Sequence, residues 1–215
     1  MPSLPEQPNR PEPTILPGPP GTDTAAAGRA ALAFLLTRRS RPARTLGLPV
    51  PDRAALAPIL AAGLRVPDHG KLEPWRLVVL TRPALERLAG LAAARGRDLG
   101  LEDDRVAKGV AQFADADLVV AVIKCPRPTD RIPDHEQVLS AGAVCLSLLN
   151  AALASGWGAS WLTGWAVADT AFCRDGLGLG PGEWVAGLIH IGTATAVPPE
   201  RPRPDPEATI TWVEA

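Results

Sequence analysis

The sequence reads as a sheet enclosed by helices, and three stretches carry that expectation. Leu118 to Ile123 is an unbroken apolar run, rich in β-branched residues and without alternation, the pattern of a strand buried on both faces. Asp134 to Ser155 is long and apolar, roughly 33 Å as a helix at 1.5 Å per residue. Trp184 to Thr193 is a second clear strand. Ser140, Gly142, Ser147, Asn150 and Ser155 interrupt the long helix, and no basic flank fixes an orientation across a bilayer. It therefore reads as the buried spine of one main domain and not as a membrane span.

Residues 1 to 22 contain eight prolines and little to bury, so a disordered tail is expected there, with the folded domain covering 23–215. Asp23 or Thr24 can cap a first helix through Ala25 to Thr37, with Leu32, Leu35 and Leu36 on one face. Pro51 and Asp52 open a second, in which Leu56, Ile59, Leu60 and Leu64 recur at helical spacing before Pro67. Trp75 to Leu80 reads as a strand, Pro83 starts a helix, and Glu102 to Phe113 forms another. After the spine, Gly156 to Gly158 make a break, Ala159 to Leu162 a strand and Thr170 to Gly176 a short helix. Pro198 to Pro206 holds five prolines in nine residues and must be extended. Thr209 to Val213 then alternates like an edge strand, which needs a sheet edge on its own or another chain.

Composition excludes several classes. The net charge of −1 supplies no field for nucleic acid or an anionic membrane. Cys125, Cys145 and Cys173 are odd in number and set among apolar residues, so buried reduced thiols are expected. The N-terminus lacks the order of a signal peptide, and a cytoplasmic protein is expected. His69, His135 and His190 lie far apart without a zinc motif, so no metal is predicted. Gly176 to Gly182 has Pro181 where a dinucleotide fingerprint needs its third glycine. It is read as a turn. Neither a nucleophile elbow nor a P-loop signature occurs.

Three clusters remain. Arg38, Arg39 and Ser40 close the first helix, where basic residues either complement the helix dipole or form a local anion site. Arg65 to Trp75 concentrates Arg65, Asp68, His69, Lys71 and Glu73 in one connection, and dense polar loops often carry function. Alone, His69 would read as a structural hydrogen-bonding residue, and no second group in the sequence is placed to hold it as an acid. Gly156 to Trp165 contains Trp157, Trp161 and Trp165 among glycines. These rings either pack the core or wall a flat heteroaromatic ligand.

Taken in order, Arg38-Arg39-Ser40, Pro67-Asp68-His69 with Pro74-Trp75, the long helix ending in Gly-Trp-Gly, and Leu177 to Gly180 before Trp184 to Gly192 resemble the nitroreductase family over about residues 25 to 214. The resemblance is to its small bacterial subgroup. It implies a three-layer α+β fold with a mixed sheet between helices, a homodimer whose C-terminal strand crosses to the partner's sheet, and FMN at the dimer interface. By the same resemblance Arg38, Arg39 and Ser40 hold the cofactor from one subunit, bordered by Trp161, Leu162 and Thr163, while Arg65 and His69 reach it from the other. Glu73 stands where the family more often has Gln. Leu162 and Thr163 stand where relatives are often more polar. The implied activity is ping-pong reduction of nitroaromatics, quinones or related acceptors by NADH or NADPH, with no catalytic side chain required. A flavin-binding or storage protein without turnover, or an offshoot with a specialised reductive substrate, would share these residues.

Overall fold

The computed structural model describes residues 24–214, so the expected tail over 1–22 lies outside the described residues. The chain divides into two compact units after Arg38. In the first, α1 (Thr24–Thr37) is rich in Ala and Leu, residues whose helical propensity alone favours the element. Its last turn is closed by Thr37 Oγ1 donating to Ala33 O at 2.7 Å and the Arg38 N–H donating to Phe34 O at 2.8 Å. The expected apolar face, Leu32, Leu35 and Leu36, is exposed.

The second unit is built on five strands, β1 (Leu46–Gly47), β2 (Trp75–Thr81), β3 (Leu118–Lys124), β4 (Gly158–Leu162) and β5 (Trp184–Ala194), in the order β1-β5-β3-β2 with β4 also on β5. Among the described residues seven α-helices accompany them: α2 (Arg53–Gly63), α3 (Arg82–Asp98), α4 (Asp103–Ala114), α5 (Asp134–Ala154), α6 (Trp165–Ala168), α7 (Thr170–Leu177) and α8 (Pro206–Thr209). All seven residues of β3 are buried, and their alternation divides the core. Val119, Ala121 and Ile123 join Leu85, Leu88, Phe113 and Phe172 in one layer. Val120 and Val122 join Leu56, Ile59, Val144 and Leu148 in the other. Helices thus cover both faces of the sheet, as expected.

α2 starts where Asp52 Oδ1 accepts from the Ala55 N–H at 2.8 Å, an N-cap. It ends at Gly63, where an added Cβ would lie 2.3 Å from Leu148 Cδ2. Glycine here permits the close approach of α2 to α5. By length and composition α5 could cross a membrane, yet Gln137, Ser140, Ala141, Val144, Cys145, Leu148, Leu149 and Ala152 are buried within the unit. The three cysteines are buried and unpaired. Burial pushes their thiols up to about 11 for Cys125, 12 for Cys145 and 11 for Cys173, which leaves them unreactive.

One expectation is corrected. Every ladder among the described residues is antiparallel, where a mixed sheet was expected. A central strand covered on both faces needs a continuous apolar run whatever its neighbours' direction, so the pattern of β3 did not report polarity. Thr209 to Val213 forms no strand in the single chain. Asp205 Oδ1 accepts from the Glu207 N–H at 3.1 Å and Pro206 takes the first helical position, giving α8 through Thr209. This Asp-Pro start is a helix signal, and the residues beyond Thr209 lie outside the helix.

Candidate functional site

The connection from α2 to β2 is held in an unusual backbone. Gly70 has φ 72°, and the non-glycine residues Lys71 and Glu73 have φ 53° and 48°. Each of these two costs on the order of 1 kcal/mol or more and persists only where surroundings enforce it. The enforcing contacts are specific. Asp68 Oδ2 accepts from the Glu73 N–H at 2.8 Å, and Pro67 O accepts from Ser140 Oγ at 2.8 Å. Ser140 Oγ itself accepts from Trp75 Nε1 at 3.1 Å, so a buried residue of α5 anchors both ends of the loop.

His69 projects from this loop, with its side chain 63% exposed, and its Nδ1 lies 2.7 Å from Glu136 Oε2. The second group that the sequence reading did not find is therefore present, in the first turn of α5. Acidic residues there satisfy the helix dipole, and nothing in the spacing joined Glu136 to a histidine 67 residues away. Pro67, His69, Glu136, Leu139, Ser140 and Ala143 line an open cleft of about 360 Å³. Arg65 is exposed; its backbone N–H donates to Ala62 O at 3.1 Å, and its side chain holds no hydrogen bond or ion pair among the described residues.

A second cluster forms around β4. The Arg41 N–H donates to Ala159 O at 2.8 Å, which lays the Arg39–Arg41 segment beside the strand. Arg39 Nη2 donates to Pro199 O at 2.9 Å. Its buried Nε lacks a hydrogen-bond partner and lies 3.8 Å from Glu200 Oε1. That carboxylate oxygen also accepts from Arg203 Nε at 3.1 Å. The Arg201 backbone N–H, then Arg203 and Arg39, hold the Glu200 carboxyl below its usual range. The proline-rich excursion, read from sequence only as extended chain, thus brings a second guanidinium to Arg39. Arg38 belongs to the first unit and Ser40 to the second, and both are half-buried.

The three tryptophans of the glycine-rich stretch divide between the two roles considered for them. Trp165 packs over Gly109, where a Cβ would lie 2.3 Å from its Nε1, and donates to Arg105 O at 2.8 Å. Trp157 packs against the α5 layer. Trp161 lies on Gly187, where a Cβ would come within 2.2 Å of its Nε1, and donates to Ala186 O at 3.3 Å. It remains 38% exposed, a flat surface open to a ligand. Leu162 lies on the opposite face of β4, lining a cavity of about 180 Å³ with Gln112 and His190. Thr163 is exposed, and its carbonyl accepts from Gln112 Nε2 at 2.7 Å. Among the described residues no hydrogen bond joins the His69 cluster to the Arg39–Trp161 cluster.

Fold and site together define an α+β protein with helices on both faces of its sheet, in which Arg39 and Arg203 gather around Glu200 and the Trp161 indole is exposed. The nitroreductase family model matches residues 35–193. The chain belongs to the nitroreductase family. It is 30% identical over 163 residues to YdjA of Escherichia coli strain K12, which carries the name NAD(P)H nitroreductase, covering 76% of this chain and 87% of that one. A Haemophilus influenzae protein with the same name is 34% identical over 164 residues, covering 76% and 88%. The crystal structure of a nitroreductase from Desulfovibrio desulfuricans in complex with FMN superposes with a TM-score of 0.64 at 23% identity, covering 86% of this chain and 97% of that one.

Proposed function

We propose that the protein is an FMN-dependent NAD(P)H oxidoreductase that reduces nitroaromatics, quinones or related electron-poor acceptors. The observation that carries this reading is the half-buried Arg39 guanidinium, whose buried Nε lacks a hydrogen-bond acceptor while a surface carboxylate, Glu200, stands 3.8 Å away. A phosphate monoester fits that donor set, because its oxygens can satisfy Arg39 and Arg203 together. Arg38 and Ser40 would add donors, and Trp161, Leu162 and Thr163 would border the ring system. When bound, FMN would supply the redox chemistry between a nicotinamide donor and the acceptor, the two using one site in turn. The protein's own groups position, neutralise and exclude water. Buried, unreactive thiols suit a cytoplasmic setting, where cysteines stay reduced.

Anaerobic addition of NADH or NADPH to the purified yellow protein should bleach its flavin absorbance, and steady-state turnover should give parallel double-reciprocal lines. A protein that stays yellow would support flavin storage instead. Intersecting lines would overturn the shared-face order of binding.

The reading includes a homodimer. Leu32, Leu35 and Leu36 of α1 and Ile210 and Val213 near the C-terminus are exposed, as is Val79 on β2, which ends the strand order. The residues beyond α8 then have a second copy's sheet edge to complete, and Arg65 and His69 of one copy would complete the cofactor site of the other. Sedimentation should report twice the chain mass of 22.5 kDa. A flavin-loaded monomer would contradict the shared site.

A further inference from the structure

We propose that Glu136 is the positioning residue for His69: it holds the imidazole with Nδ1–H toward its own carboxylate and presents Nε2 to the cleft as a hydrogen-bond acceptor. An ionised carboxylate only accepts hydrogen bonds, so across the 2.7 Å contact the proton of the neutral ring sits on Nδ1. Nε2 is then the nitrogen available for a ligand. Only the identity of that ligand rests on the FMN reading; the tautomer does not.

The surroundings fix both partners. Lys124 donates to Asp134, tying the start of α5 to β3, and the Glu136 N–H donates to Pro133 O at 3.1 Å. On the other side, an added Cβ at Gly70 would lie 2.4 Å from Ile132 Cδ1. The loop therefore sits directly against the segment leading into α5, and its left-handed backbone at Gly70, Lys71 and Glu73 turns His69 toward Glu136. Once so held, the ring offers a lone pair to an N–H or O–H donor, such as the imide of an oxidised flavin or a ribityl hydroxyl, and does not offer a proton to a carbonyl. The carboxylate acts through the imidazole, which defines a positioning role.

Long-range ¹H–¹⁵N correlation of the wild-type protein at about pH 8.5, above the reference imidazole value of roughly 6.5, should show His69 as the Nδ1–H tautomer. Comparison with His69→Gln assigns the signal. In Glu136→Ala the Nε2–H form should gain population. FMN affinity, followed by flavin fluorescence, should fall about two- to tenfold in Glu136→Ala, as for loss of one neutral hydrogen bond. In a His69→Ala background the same substitution should change it by no more than about twofold. A wild-type ring protonated at Nε2, or an equal cost in both backgrounds, would overturn the proposal. The wild-type spectrum needs no variant to fold. Absence of FMN binding would refute the functional reading and leave the tautomer measurement decisive for Glu136.

Discussion

Acidification from pH 7.5 to 4 should remove about 3 kcal/mol of stability, and His190→Leu should abolish most of that loss. His190 sits on β5, where its Cα pairs with those of Val119 on β3 and Ser160 on β4, and is 3% exposed. Its Nε2 has no hydrogen-bond partner, and burial pushes its pKa down from 6.5 to about 4. The native ring therefore stays neutral while the unfolded one takes up a proton. This contribution is fully present above the unfolded value of 6.5 and is lost as pH falls through the window down to about 4. At roughly 1.4 kcal/mol per pH unit, that window gives the figure above. A further decline should follow at lower pH. Arg76 holds the Glu183 carboxyl at about 2, against an ordinary 4.5, through Nε and Nη2 contacts of 2.9 and 2.8 Å. That contribution exists above 4.5 and fades as pH falls toward 2, and partial exposure of Arg76 reduces its size. Urea unfolding of both proteins at the two pH values distinguishes the legs. If wild type and variant lose stability in parallel down to pH 4, His190 is not the group responsible.

Arg39→Ala should weaken FMN binding by roughly 1.5 to 3 kcal/mol, about 10- to 150-fold, the range for hydrogen bonds to a charged group. Riboflavin, which lacks the phosphate, should lose much less. Arg38→Ala is expected to show the same preference. The comparison between ligands matters because Arg39 also ties Pro199 into place, and loosening that segment would weaken both ligands alike. Calorimetric titration of the apoprotein with each ligand measures the two affinities. Equal losses would place Arg39 away from the phosphate and leave it a strap for the C-terminal segment.

Much of the fold was legible because its signals are local. The Leu118–Lys124 strand, the Asp52-capped helix and the long α5 declare themselves through apolar periodicity, capping side chains and breakers within a few residues. α6 was missed because four residues, Trp165 to Ala168, carry no measurable periodicity.

The site divides along the same line. Arg39, Ser40, His69 and Trp161 could be singled out because unusual residue types cluster along the chain. Their partners could not. Glu136 beside His69, Glu200 and Arg203 beside Arg39, and Gly187 beneath Trp161 each come from a distant element. The longer helices and strands, the doubly covered core and the residue types available for chemistry followed from the sequence alone, since propensity and periodicity act between near neighbours. Only tertiary structure decided strand direction, the tautomer that a carboxylate imposes on His69 and which tryptophan stays open. Those depend on contacts across many tens of residues, which packing sets and spacing along the chain does not record.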